Sequence, residues 1–106
     1  MAEINAARLQ QKLAEDQPAP LLLDVREDWE VAIASIQGSR HIPMQQVPQR
    51  LDELDAEQET VVICHHGMRS QRVADYLEQQ GFTRVLNLSG GVDDWARRVD
   101  PSMPVY

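Results

Sequence analysis

The apolar positions of this chain change period along its length, and each change marks an element. Leu9 and Leu13 stand four apart behind Asn5, which predicts a capped helix running to about Asp16. Prolines at 18 and 20 end it. Residues 21–25 (LLLDV) are apolar without alternation until Asp24, the pattern of a strand covered on both faces. Residues 27–34 (EDWEVAIA) predict a short helix, with acids in its first turn where the helix dipole favours them and with Trp29 and Ile33 turned to the core. Gly38 marks a turn, and residues 41–43 (HIP) a short extended piece cut off at Pro43. Val47, Leu51 and Leu54 form the stripe of a further helix. Residues 61–63 (VVI) read as a buried strand. Helical spacing then returns, with Ser70 as N-cap, Val73, Ala74 and Leu77 inward, and Gly81 as the left-handed terminator. Residues 84–88 (RVLNL) predict another strand. The Ser89, Gly90, Gly91 turn leads into a helix carrying Val92 and Trp95, and the proline-containing tail is extended. Strands alternating with helices at this spacing predict an α/β fold with a parallel sheet and helices on both faces. A length of 106 residues fits one domain, 1–106.

Composition narrows the partners. A net charge of −7 argues against nucleic acid and against docking on anionic lipid. The acid concentrates in residues 51–59 (LDELDAEQE), read as a solvated helix face; the sharper alternative is a docking surface for a basic partner protein. A single cysteine excludes an intramolecular disulfide and any cysteine-rich zinc site. Its free thiol fits a reducing compartment, so a cytoplasmic location is expected. The first residues lack the basic start and apolar core of a signal peptide, and no apolar run approaches membrane-spanning length.

That cysteine sits in the stretch CHHGMRS, residues 64–70, where a strand ends, a tight loop turns and a helix begins. In open parallel sheets, ligands bind beyond the carboxyl ends of the strands. A nucleophile there meets backbone N–H groups and the positive end of a helix dipole, which stabilise a thiolate, a persulfide anion or a bound oxyanion. Gly67 allows the backbone to turn inward. Asp24 and Arg26 fall at the same edge of the sheet, where a fixed ion pair is expected to support the loop. Arg69 either braces the loop through Asp24 or another carboxylate, or contacts a bound anion. His65 and His66 either titrate near neutrality and assist the thiolate, or stand in solvent. Met68 is expected to line the pocket. A metal on Cys64, His65 and His66 is disfavoured, because adjacent residues rarely close one tetrahedral site and no C-x-x-C or H-x-x-x-H pair accompanies them.

With these residues in place the chain resembles a single-domain rhodanese, a sulfurtransferase. DVRE at residues 24–27, SIQGSRHIPM at 35–44, CHHGMRS at 64–70 and LSGGVDDW at 88–95, with Pro104 and Val105 later, are similar to the family's motifs in order. Two departures lie outside the loop. Ala34 and Ser35 stand where the second motif has Gly-His, and no glycine precedes the last prolines. The resemblance implies a three-layer α/β/α fold around a central parallel sheet of about five short strands. It implies no cofactor and no metal. It also implies a persulfide relay, in which Cys64 takes a sulfane sulfur from a donor such as thiosulfate and passes it to cyanide, a thiol or a sulfur-accepting protein. An ordinary cysteine, with a pKa of about 8.5, is only a few per cent ionised at pH 7, so the loop amides and Arg69 have thiolate stabilisation to supply. Four residues separate Cys64 from Arg69. Cysteine-dependent phosphatases and arsenate reductases place five there, a wider cradle suited to phosphate, so phosphate chemistry is the weaker alternative. A non-catalytic binding module of the same fold is the other.

Overall fold

The computed structural model describes residues 2–15 and 17–106. Five parallel strands form one sheet in the order β1-β5-β4-β2-β3: β1 Ala2–Ile4, β2 Leu21–Asp24, β3 Arg40–His41, β4 Thr60–Ile63 and β5 Val85–Leu88. The helices are α1 Ala6–Ala14, α2 Asp28–Ile33, α3 Met68–Gln79 and α4 Gly91–Arg98. The expected α/β/α architecture is the one observed.

Strand periodicity sorts the core into two faces. Val62 and Cys64 point to the side where α3 supplies Val73, Ala74 and Leu77, with Leu23, Val25, Ile42 and Val47 alongside. Val61 and Ile63 point to the opposite side, against Ala6 and Leu9 of α1 and Val92 and Trp95 of α4. β4 is central and buried on both faces, which is why its sequence runs apolar without alternation. The loop after β4 therefore opens at the middle of the sheet's carboxyl edge.

Several local expectations hold. The Asn5 side chain accepts the Arg8 amide at 2.8 Å and caps α1. That helix ends at Ala14; the expected end at Asp16 lies outside the described residues. Gly81 takes a φ of +96° just past α3.

Others are corrected. β1 has no periodic signal in three residues, yet its backbone pairs with β5 from Ala2 to Ile4. The helix expected from Val47 is a pair of 3₁₀ segments, Met44–Gln46 and Pro48–Glu53. Arg50 leaves helical geometry at φ −114°, ψ 18°, which interrupts any continuous α-helical run through Leu51 and Leu54. Ser70 is not an N-cap: α3 begins two residues earlier, at Met68, behind Gly67. Trp29 is 62% exposed and Ile33 also faces outward. The inward face of α2 is set by Glu30, with Arg26 and Ala34 one turn away on each side, so Trp29 lies about 100° and Ile33 about 60° round the helix from it.

Candidate active site

The loop is shaped from both sides of the sheet. At its end Gly67 adopts φ +104°, and a Cβ there would meet Gly90 N and Leu88 O at 3.3 Å. Glycine is required both by the left-handed backbone and by the close approach of the next loop. This conformation aims the Gly67 N–H at Cys64 Sγ, 3.1 Å away, and Ser70 Oγ lies 3.3 Å from the same sulfur. On the other side the first amides of α4 hold the loop's carbonyls: Val92 donates to Cys64 O at 2.9 Å and Asp93 to His65 O at 3.1 Å. A trans peptide sets its N–H opposite its C=O, so the His65 and His66 amides turn away from α4. Cys64 is 1% exposed. The one thiol sulfur thus sits at the floor of the loop, with one amide and one hydroxyl on it and the N-terminus of α3 beside it.

Beneath the loop lies an ionic network. Arg26, 0% exposed, donates through Nε and Nη2 to both oxygens of Asp24 at 2.8–3.1 Å. Its Nη2 also reaches Ala34 O at 2.6 Å, and its Nη1 reaches the Tyr106 hydroxyl at 2.7 Å. Arg69 does not brace through Asp24. Its two terminal nitrogens donate to the two oxygens of Glu30 at 2.6 and 2.8 Å, and the Tyr106 hydroxyl donates to Glu30 at 2.9 Å. Glu30 is 3% exposed, and the Arg69 guanidinium holds its carboxyl well below the carboxylate range, at about 2. In return Glu30 pushes the Arg69 guanidinium further up.

That depression makes the pair pH-sensitive. A carboxylate whose folded pKa lies below its unfolded value stabilises the fold above the unfolded value, near 4.5, and loses that contribution as pH falls toward 2. The full contribution is about 3 kcal/mol. Denaturant unfolding of the wild type and Glu30→Gln should therefore differ by about this amount at pH 6, and by little at about pH 2. A constant difference across that range would contradict the assignment.

The remaining loop side chains divide. His65 is half-buried and stacks on Tyr106 at 3.8 Å and on His66 at 3.9 Å; burial and the neighbouring His66 push its pKa down, and its Nε2 has no partner. His66 is exposed. Met68 is 75% exposed, which corrects the expectation that it lines the pocket: as the first residue of α3 it points off the loop into solvent. Among the described residues His65, His66 and Asp93 are the group that could hold an ion, with ligand atoms within 4.8 Å of one another. Their arrangement does not favour one: stacked imidazoles run their in-plane lone pairs side by side, and Asp93 is engaged by Arg97 at 3.1 Å.

Three residues of this site escape a reading of the sequence. Glu30 has the signature of an ordinary first-turn acid. Tyr106 carries no local signal and is placed only by the fold. Asn87 has one: a polar side chain in the apolar run 84–88 that, by period, faces the side of Val85 and α3. It is 2% exposed; its Nδ2 donates to Gly67 O at 3.0 Å and its Oδ1 accepts from Ser70 Oγ at 2.5 Å.

Fold and site together define a parallel α/β domain that presents a single cysteine at the carboxyl edge of its central strand, inside a loop closed by a helix N-terminus. Known proteins agree. The profile described as Rhodanese-like domain matches residues 5–98. A protein named Sulfurtransferase from Allochromatium vinosum is 40% identical over 95 residues, covering 90% of this chain and 88% of that one. The thiosulfate sulfurtransferase GlpE of Actinobacillus pleuropneumoniae serotype 3 is 36% identical over 85 residues, covering 80% and 79%. The crystal structure of a rhodanese-like domain protein from Staphylococcus aureus is similar with a TM-score of 0.84 at 34% identity, covering 90% and 91%. The chain belongs to the rhodanese-like domain family. Relatives of this length and similarity bearing the name sulfurtransferase support a sulfurtransferase role for it.

Proposed function

We propose that the chain, acting as one domain, transfers sulfane sulfur through a persulfide on Cys64. The observation that carries this reading is the Gly67 N–H on Cys64 Sγ at 3.1 Å, in a loop whose flanking carbonyls are turned away onto α4. An anion on that sulfur meets an amide donor, the hydroxyl of Ser70 and the nearby Arg69. In the first step the Cys64 thiolate attacks the outer sulfur of thiosulfate; the S–S bond of the donor breaks, sulfite leaves with the electron pair, and Cys64 carries a terminal sulfur anion. In the second, cyanide or a thiolate attacks that terminal sulfur, and the Cys64 thiolate is the leaving group. No redox partner is required, because the sulfane sulfur keeps its oxidation level. Arg69, tied to Glu30, serves by fixing the start of α3 and by its charge, while Asp24 and Arg26 hold the loop's base. A free thiol and the absence, among the described residues, of any helix long and apolar enough to cross a membrane suit a cytoplasmic setting.

Intact-mass measurement after incubation with thiosulfate should show the gain of one sulfur atom, and cyanide should remove it. Cys64→Ser should abolish both changes while leaving the far-ultraviolet circular dichroism unaltered. The 1% exposure of Cys64 favours a second reading, a module of the same fold that passes no sulfur. A folded wild-type sample that gains no mass from thiosulfate or from a low-molecular-weight persulfide would establish that reading instead.

A further inference from the structure

We infer that Asn87 is a positioning residue that controls how far Ser70 can stabilise the Cys64 thiolate, by competing with the sulfur for the single Ser70 proton. The amide of Asn87 has one orientation. Its Nδ2 faces the Gly67 carbonyl at 3.0 Å, and reversing it would set two acceptors against each other. Oδ1 is therefore an acceptor directed at Ser70 Oγ, 2.5 Å away and buried. Ser70 Oγ also lies 3.3 Å from Cys64 Sγ. A hydroxyl has one hydrogen. While Cys64 is a thiol, every group is satisfied: Ser70 donates to Asn87, the Cys64 S–H donates to Ser70, and the Gly67 N–H donates to the sulfur. Once the thiolate forms, Ser70 can serve the sulfur only by leaving the buried Asn87 Oδ1 unpaired, which costs much of what the new hydrogen bond supplies.

The consequence for sulfur transfer rests on the persulfide relay proposed for Cys64. When Cys64 carries an extra sulfur, the negative charge sits on the terminal atom and Sγ no longer needs the Ser70 proton, which stays with Asn87. Asn87 therefore penalises the empty thiolate and not the loaded form. That keeps the thiolate nucleophilic and biases sulfur toward the protein. Asn87 also fixes Gly67, so its removal has two effects, of which the competition concerns only the one routed through Ser70.

A test that isolates this route needs no sulfur donor. The quantity measured is the pH dependence of iodoacetamide alkylation of Cys64, checked by ultraviolet thiolate absorbance. It is compared with and without Ser70→Ala in three backgrounds: wild type, Asn87→Ala and Asn87→Leu. Removing the Ser70 hydroxyl should reduce thiolate formation least in the wild type, where Asn87 Oδ1 holds the proton. The reduction should be about tenfold or more in Asn87→Ala and in Asn87→Leu, where the hydroxyl belongs to the sulfur alone. The other ionisable groups around Cys64 are Arg69 with its partner Glu30, His65 and His66 of the loop, Asp93 at the start of α4, and Tyr106. The Asp24–Arg26 pair lies beneath them. All are common to every pair compared, so they cancel in each Ser70 difference. Equal Ser70→Ala effects in the three backgrounds, in proteins whose thermal melts remain cooperative, would overturn the proposal. If Asn87→Ala fails to fold, the near-isosteric Asn87→Leu comparison decides alone, and a Ser70→Ala effect there no larger than in the wild type would overturn it.

Discussion

Arg26→Met is expected to destabilise the protein by about 3–5 kcal/mol, the range for removing one partner of a buried ion pair. The reasoning lies in what the arginine leaves behind. Asp24 is 1% exposed and takes three side-chain hydrogen bonds from Arg26, so without it a carboxylate stands alone in the interior or must protonate. The Ala34 carbonyl and the Tyr106 hydroxyl lose a charged partner too. Domains of this size are stable by only about 5–15 kcal/mol, so the change is a large share of the total. Urea unfolding would show a lower midpoint at an unchanged slope. Adding Asp24→Asn should restore part of the loss, because the unpaired charge is then gone. A shift below about 1 kcal/mol would mean that water reaches Asp24 and that the network is not the fold's internal brace.

How much of this is legible in the chain depends on whether a residue's role is local. β2, β4, β5 and the helices α1, α3 and α4 are each announced by their own spacing, and the Cys64 loop by a run of consecutive residues, 64–70. The pairing of Asp24 with Arg26 is equally local, two residues apart at a strand end. By contrast Arg69 meets Glu30 across 39 positions, Ser70 meets Asn87 across 17 and Tyr106 meets Glu30 across 76. Contacts of that kind are decided by strand order, which no periodicity encodes. The phase of α2 is hidden for the same reason. Two large apolar residues four apart suggest a buried stripe, but a buried carboxylate matched to a distant guanidinium fixes the helix the other way round, with Glu30 inward and Trp29 outward. The start of α3 differs because Gly67, not a side-chain cap, supplies the turn, which frees the Ser70 hydroxyl for the sulfur and Asn87.

Gly91→Ala should cost about 3–8 kcal/mol, with loss of the loop's geometry. Gly91 has φ +60°, and a Cβ there would stand 2.4 Å from both Cys64 O and His65 O. These are the two carbonyls that the Val92 and Asp93 amides hold. They belong to backbone that cannot swing aside, so α4 must back away from the loop. Both helix–loop hydrogen bonds are then lost, at about 1–3 kcal/mol each, on top of about 1–2 kcal/mol for the left-handed conformation itself. Gly81→Ala separates the two costs, since Gly81 has φ +96° and a Cβ added there would meet nothing within 4 Å. That variant should lose only about 1–2 kcal/mol by denaturant unfolding and keep full sulfur uptake by intact mass. Gly91→Ala should lose the uptake as well, even below its unfolding temperature, because the amides of His65 and His66 point as they do only while α4 holds the carbonyls opposite them. Equal losses in the two variants would assign the whole effect to backbone strain and none to the contact between α4 and the cysteine loop.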